Sequence, residues 1–301
     1  MRVLKLVGLF LGYALAGFGG DYAVSLLAQE HTPANGVRVH VNDVKVERAV
    51  RVRTRVRASE SCRYEAERSV RIDASASQQL FLEAGSGDLK VVGVAGLGEV
   101  RAVGRACASD EASLQDLQLT LEKRGDAVAL TAHYPDIGWH GDGYARIDLT
   151  VEIPRGMSVD LDDSSGDLQV SGSGDLRIDD SSGGILVEDA TGSVSIDDSS
   201  GEIDVSGVQG DLRIEDGSGS IDVRNVQGSV RLDDGSGGIS VVGVGRDVMV
   251  DGDGSGSIEV RDVKGDFTVR HDGSGSIRYS GIQGTVDIPR EKMEGYHRHG
   301  G

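Results

Sequence analysis

Between Ser158 and Ile288 apolar and polar residues alternate in short bursts, and the bursts repeat. In "DLRIED", Leu212 and Ile214 share one face, while Asp211, Arg213 and Glu215 take the other. In "SIDVRN", Ile221 and Val223 share a face opposite Ser220, Asp222 and Arg224, and Val226 follows at the next turn. Alternation with a period of two marks a β-strand buried on one side. One unit earlier the same places hold Val194, Ile196, Ile203, Val205 and Val208; one unit later they hold Val230, Leu232, Ile239, Val241 and Val244. "GSG" and "VQG" separate the bursts, so each unit reads as two short strands and two turns.

The corner glycines set the period. The last Gly of each "DSSG" or "DGSG" falls at Gly166, Gly183, Gly201, Gly219, Gly237, Gly256 and Gly275, at spacings of 17, 18, 18, 18, 19 and 19 residues. A unit this small cannot bury its apolar side alone, whereas stacked units can, each Ile or Val lying on its equivalent. The pattern therefore predicts an all-β fold: a narrow parallel β-solenoid (a β-helix) with two-strand coils of about 18 residues, seven coils rising roughly 34 Å. The longer units, Val248–Gly256 and Phe267–Gly275, each place an extra residue at a corner, where a bulge leaves the core register intact.

The rest of the chain is less regular. "QLFLEAGSGDLKVVGV" (79–94) already has the corner "AGSGD". "DLQLTLEKRGDAVALTAHY" (116–134) reads as a hairpin about "KRGD", and "PDIGWHGDGY" (135–144) as a loop. This divides the chain into a signal segment (1–28), a basic linker or N-terminal extension (29–68), a β-domain (69–289) and a polar tail (290–301). Within the β-domain, 106–143 are irregular and 158–288 form the regular repeats.

Composition supports turns between strands: Gly supplies 45 of 301 residues and Pro only 4. The net charge of −18 is wholly carried by 158–288, which holds 27 Asp/Glu against 9 Lys/Arg. Such a surface repels a nucleic-acid backbone. At the start, Arg2 and Lys5 precede the apolar run Leu6–Leu15, too short to read as a membrane span, with small-residue cleavage sites at Ala14–Ala16 and Ala28. An export signal fits best, with an uncleaved anchor as the alternative. Membrane contact is expected only through this segment. Cys62 and Cys107 are the two cysteines; in an oxidising compartment they form a candidate disulfide.

Three stretches carry a family likeness: "LEAGSGDLKVVG", "LTVEIPRGMSVDLDDSSGDLQVSG" and the repeated "DGSGSI" followed one residue later by Val. With them the chain resembles the bacterial exported "putative adhesin" β-solenoid family, a domain family of unknown function, over about Ser69 to Ile288. The resemblance implies a right-handed parallel β-helix and export to the periplasm, the cell surface or the medium. It carries no catalytic residues.

Candidate chemistry gathers at the acidic corners. Asp163, Asp180, Asp198, Asp216, Asp234, Asp253 and Asp272 would stack in one column, with Asp162, Asp179, Asp197, Glu215 and Asp233 beside it. Carboxylates about 5 Å apart repel, and a cation would relieve them. Asp180, Asp198, Asp216, Asp234, Asp253 and Asp272 are thus candidate ligands for weakly bound Ca²⁺, the one cofactor the sequence allows. The competing reading makes each Asp a cap on its own turn, accepting a backbone N–H two residues on. The calcium β-roll motif "GGxGxDxUx" places its Asp differently, which favours the cap. "GSGS" (217–220) lacks Lys and is flanked by acids, so it is no phosphate loop. His297 and His299 sit in the tail, and Trp139 lies in the loop between Tyr134 and Tyr144.

Identical acids in every coil are unlike a catalytic pair, which needs two different environments. The expectation is a non-enzymatic exported protein presenting a rigid acidic scaffold to a surface or extracellular ligand, protein or glycan. A calcium-dependent binding module and a polysaccharide-active β-helix enzyme are the alternatives.

Overall fold

The computed structural model describes residues 62–135 and 143–289. The signal segment, the basic stretch before Cys62, Trp139, His297 and His299 lie outside the described residues. Among the described residues no helix is long and apolar enough to cross a membrane.

Two sheets face each other, one of 11 strands and one of 12. In the repeat each coil gives one strand to each sheet. Leu212–Asp216, for example, belongs to the larger sheet and Ile221–Val226 to the smaller. Neighbouring coils pair in parallel and in register: Leu212 lies between Val194 and Val230, and Ile221 between Ile203 and Ile239. Hydrogen bonds run from coil to coil, as from Ile203 N–H to the Ser220 carbonyl (2.8 Å) and from Ile221 N–H to Gly238 (2.9 Å). Inside, Leu212, Ile214, Ile221, Val223 and Val226 are all buried, with the same places filled likewise in neighbouring coils. Each such side chain contributes about 1.5–3 kcal/mol by leaving water.

Two glycine positions explain the corners. At Gly219 the backbone has φ +152, and a Cβ there would fall on the carbonyl oxygen of Gly201 in the preceding coil. The same holds down the file from Gly183 to Gly275, so only hydrogen fits. The opposite corner passes through the left-handed region once per coil, at Gly172, Asp189, Gly207, Asn225, Gly243, Asp262 and Gly281. Gly and Asp/Asn alternate there for a steric reason. A Cβ at Gly207 would lie 2.8 Å from Asp189 Oδ1, and one at Gly281 would lie 2.6 Å from Asp262 Oδ1. The true period at this corner is therefore two coils.

The long coils show a difference from the sequence reading. The extra residue Asp251 is not at the corner but inside the strand Val248–Ser255, where Leu232 pairs with Val250 and Asp233 with Gly252. Core register survives on both sides, because Asp234 still meets Asp253. The bulge turns Asp251 toward Arg231 (2.5 Å) and Arg270 (2.7 Å).

Coil order departs from chain order near the start. Gln79–Glu83 lies between Ala127–His133 and Ser158–Asp163, and Leu89–Val94 lies between Ala145–Pro154 and Leu168–Ser171, all in parallel. The coil 79–94 is thus sandwiched between one built from 127–154 and one from 158–171. Antiparallel strands finish this end: Tyr64–Asp73 on Glu99–Ala108, Glu99–Ala108 on Ala145–Pro154, and Gln118–Arg124 on Ala127–His133, the hairpin expected about Gly125. The first strand begins at Tyr64, within the stretch read as a basic extension, because Ala66 and Arg68 alternate inward. Buried Arg68 donates to the Leu117 (2.7 Å) and Leu114 (2.8 Å) carbonyls and so closes the C-terminal end of the helix Glu111–Asp116. Cys62 and Cys107 are disulfide-bonded, tying the start of the domain to its neighbouring strand. Closing a loop of this length stabilises by about 4 kcal/mol.

Two pairs of substitutions test the stack. Ile221→Asp puts a charge into the apolar file and should cost more than about 4 kcal/mol in urea melts, while Asp222→Ser on the outer face should change stability by less than about 0.5 kcal/mol. Equal effects would overturn the inside–outside assignment. Gly219→Ala should cost about 3 kcal/mol or more by overlap with the Gly201 carbonyl, whereas Gly238→Ala, with open space around its Cβ, should be nearly silent.

Candidate functional site: a file of buried aspartates

The acidic corners form the column that the repeat requires. Asp163, Asp180, Asp198, Asp216, Asp234, Asp253 and Asp272 are paired coil to coil in one register. Asp162, Asp179, Asp197, Glu215 and Asp233 form the second file beside them. The two files live in different solvents. The outer acids are exposed or half-exposed, and Arg177, Arg213 and Arg231 stand among them, Arg213 paired with Glu215. The inner aspartates from Asp163 to Asp253 are no more than 6% exposed.

This burial was the feature missed in the sequence, and the signal was there. Leu212, Ile214 and Asp216 stand at positions i, i+2 and i+4, so period two sends Asp216 inward with the two apolar residues.

Their contacts are those of caps. The Oδ1 atoms of Asp180, Asp198, Asp216 and Asp234 accept the N–H groups of Ser182, Ser200, Ser218 and Ser236, each two residues on, at 3.0–3.4 Å. Asp163 instead accepts the Gly85 N–H of the adjoining coil (3.0 Å). The other oxygens, Oδ2 of Asp163, Asp180, Asp198, Asp216 and Asp234, are buried without a hydrogen-bond partner. Burial pushes the carboxyls up, to about 7 for Asp163 and about 6 for Asp180, Asp216 and Asp234. The stacked neighbours push the same way, Asp198 acting on Asp180 and Asp216 on Asp234.

The file has a built end. Ala84 replaces the aspartate in the coil 79–94, one residue past the Glu83–Asp162 pair. Tyr134 lies over Gly85 and donates its hydroxyl to the Ser86 carbonyl (3.0 Å); burial pushes that hydroxyl up to about 12. Tyr144 is instead exposed, accepting the Arg63 N–H (2.9 Å).

The six aspartates considered as calcium ligands therefore stand in single file rather than around a point. Among the described residues no three His, Cys, Asp or Glu side chains are grouped to hold a metal ion.

A family model, Toastrack DUF4097, matches residues 39–270. The chain belongs to this family. The Toastrack match takes in the disulfide, the capped N-terminal end and the aspartate file as far as Asp253. Two solved structures are similar to this Toastrack chain. A "putative adhesin" from Bacteroides fragilis has 13% identity and a TM-score of 0.42, covering 74% of this chain and 97% of its own. A "putative cell adhesion protein" from Clostridium sporogenes has 10% identity and a TM-score of 0.26, covering 75% of this chain and 100% of its own. No curated protein is significantly similar in sequence.

The raised inner carboxyls set a pH dependence for this Toastrack domain. An aspartate that holds its proton more tightly when folded than when unfolded stabilises most below about pH 4, and that contribution is lost as pH rises through its folded value. Asp73, Asp110 and Asp266, held below the usual carboxylate range chiefly by hydrogen bonds, oppose this only in stronger acid. Thermal melting should therefore give a higher midpoint near pH 5 than near pH 8. A midpoint that rises over that interval would contradict the burial of the file.

Proposed function

We propose that the protein is a non-enzymatic, exported binding scaffold of the adhesin type, which presents its outer acidic file to a repetitive cationic ligand at the cell surface. One observation carries the reading: parallel hydrogen bonding locks Asp162, Asp179, Asp197, Glu215 and Asp233 at one carboxylate per coil, about 4.8 Å apart, on one straight strand face. Charges held in a line at fixed spacing bind weakly one by one and strongly together, since each contact after the first is intramolecular. The repetition also argues against catalysis, because every coil offers the same surroundings. The Cys62–Cys107 disulfide and the apolar run at Leu6–Leu15 both favour an oxidising compartment outside the cytoplasm.

Oligolysines of increasing length serve as the probe. Affinity should climb steeply with length and fall with salt. Replacing Asp179, Asp197, Glu215 and Asp233 together by Ser should weaken binding of the longer oligomers by about tenfold or more. Replacing Glu202, Asp204, Asp222 and Glu259 by Ser removes the same charge from elsewhere and should cost far less. Equal losses in the two variants would reduce the effect to net charge and sink the proposal.

A further inference from the structure

The inner file poses a problem that the outer one does not. Five of its carboxyl groups, Asp163, Asp180, Asp198, Asp216 and Asp234, are more than nine-tenths buried, and each has one oxygen satisfied by a turn N–H and one with no partner. A dry, unpaired carboxylate oxygen is costly, and a row of them is more so. Groups that act on the file add to the repulsion. Asp162 acts on Asp163, Asp179 on Asp180, Asp197 on Asp198 and Asp233 on Asp234 from the outer file, and within the inner file Asp180 acts on Asp163, Asp198 on Asp180 and Asp216, and Asp216 and Asp253 on Asp234. Across the corner the facing strands open with Leu168, Ile185, Ile203, Ile221 and Ile239, all buried and uncharged. At the Asp163 end stands the Tyr134 hydroxyl, itself committed to the Ser86 carbonyl.

Geometry offers a remedy. Coils repeat about every 4.8 Å, and the two oxygens of a carboxyl group are about 2.2 Å apart, so a group turned along the axis leaves an oxygen-to-oxygen gap of about 2.6 Å, the span of a short O–H···O bond. We propose that the inner aspartates form a proton-sharing ladder, in which Oδ2 of one aspartate carries a proton and donates it to a carboxylate oxygen of the aspartate on the next coil. Each proton taken from solvent removes one buried charge and gives one orphaned Oδ2 a hydrogen-bond partner. The ladder stiffens the solenoid in mildly acidic surroundings and loosens it as base strips the protons. Its role is separate from that of the outer file.

Infrared spectroscopy of the purified protein reads the protonated state directly, since a neutral carboxyl has a C=O stretch distinct from that of a carboxylate. The band should be present at about pH 6.5, where a free aspartate has lost its proton, and should fade by about pH 9. A variant with Asn at alternate rungs, Asp180→Asn with Asp216→Asn, replaces the shared protons by permanent amide donors. It should melt higher than wild type at about pH 8 and show a shallower fall between about pH 5 and pH 8. Absence of the band in folded wild-type protein would overturn the proposal, and this measurement stands even if the variant fails to fold. An unchanged pH slope in a folded variant would also overturn it. So would a midpoint at about pH 8 that millimolar calcium chloride raises and EDTA restores, for cations would then be neutralising the file.

Discussion

Everything in this molecule follows from the parallel, in-register ladder between coils. Each residue lies on the residue at its own place in the next coil, about 4.8 Å away. A place can be filled only by a residue that tolerates a near copy of itself as neighbour. Ile, Val and Leu gain from that company, and with Ala190 and Phe267 they make up the apolar interior from Leu168 to Val269. Gly at the first corner tolerates it because the adjoining carbonyl takes the space of a Cβ. At the second corner Asp and Asn in the left-handed region cannot follow one another, so Gly is interleaved. Aspartate at the inner corner gains a turn cap but meets its own charge in the next coil.

That last conflict separates the two acidic files. On the outer face solvent screens the carboxylates, and arginines at the same height offset them: Arg177 reaches Asp160 and Asp179, and Arg224 reaches Asp204 and Asp222 on the other sheet. Such exposed pairs add little stability each, but they keep a strongly acidic surface from opposing the stack. No such relief exists one residue further along the strand, where Asp216 is buried beside Ile214. Outer acids are therefore suited to meeting another molecule, and inner acids to responding to protons.

Much of this was legible in the sequence, for a physical reason. A repeat that must match itself advertises its faces: Leu212, Ile214, Ile221, Val223 and Val226 were assigned inward from alternation alone and are buried. The caps that Asp180, Asp198, Asp216 and Asp234 place on their turns were legible too, since Asp two residues before a backbone N–H at a glycine corner has few other uses. What escaped had no periodic signal or had a misleading one. Chemical type argued for an exposed Asp216 although its position argued for burial, and position prevailed because backbone register fixes direction whatever the side chain. The place of Asp251 within a strand escaped because an insertion shows in the spacing of the corners but not in which peptide gives way. The order of the first coils could not be read at all. Nothing local in "QLFLE" distinguishes pairing with 127–133 from pairing with a strand at the end of the stack.

The sandwiched coil has a consequence for how the solenoid is held. Stability in a stack is the sum of contacts between neighbours, so the ends are its weak points. At the N-terminal end the strand Leu89–Val94 is paired in parallel on both sides, and the outermost strands Glu99–Ala108 and Tyr64–Asp73 beyond it are antiparallel, tied by the disulfide and closed by the Arg68–helix contact. This end also carries the plug of Ala84 and Tyr134 that terminates the aspartate file. Toward the other end the strands shorten to Phe267–Val269 and Val286–Asp287, and Ile277 and Ile288 are less deeply buried than their counterparts at mid-stack. Opening should therefore begin at the C-terminal coils and proceed toward Asp163. Asp234 would meet water before Asp163 does, and deprotonation of the inner file would travel in the same direction as the opening.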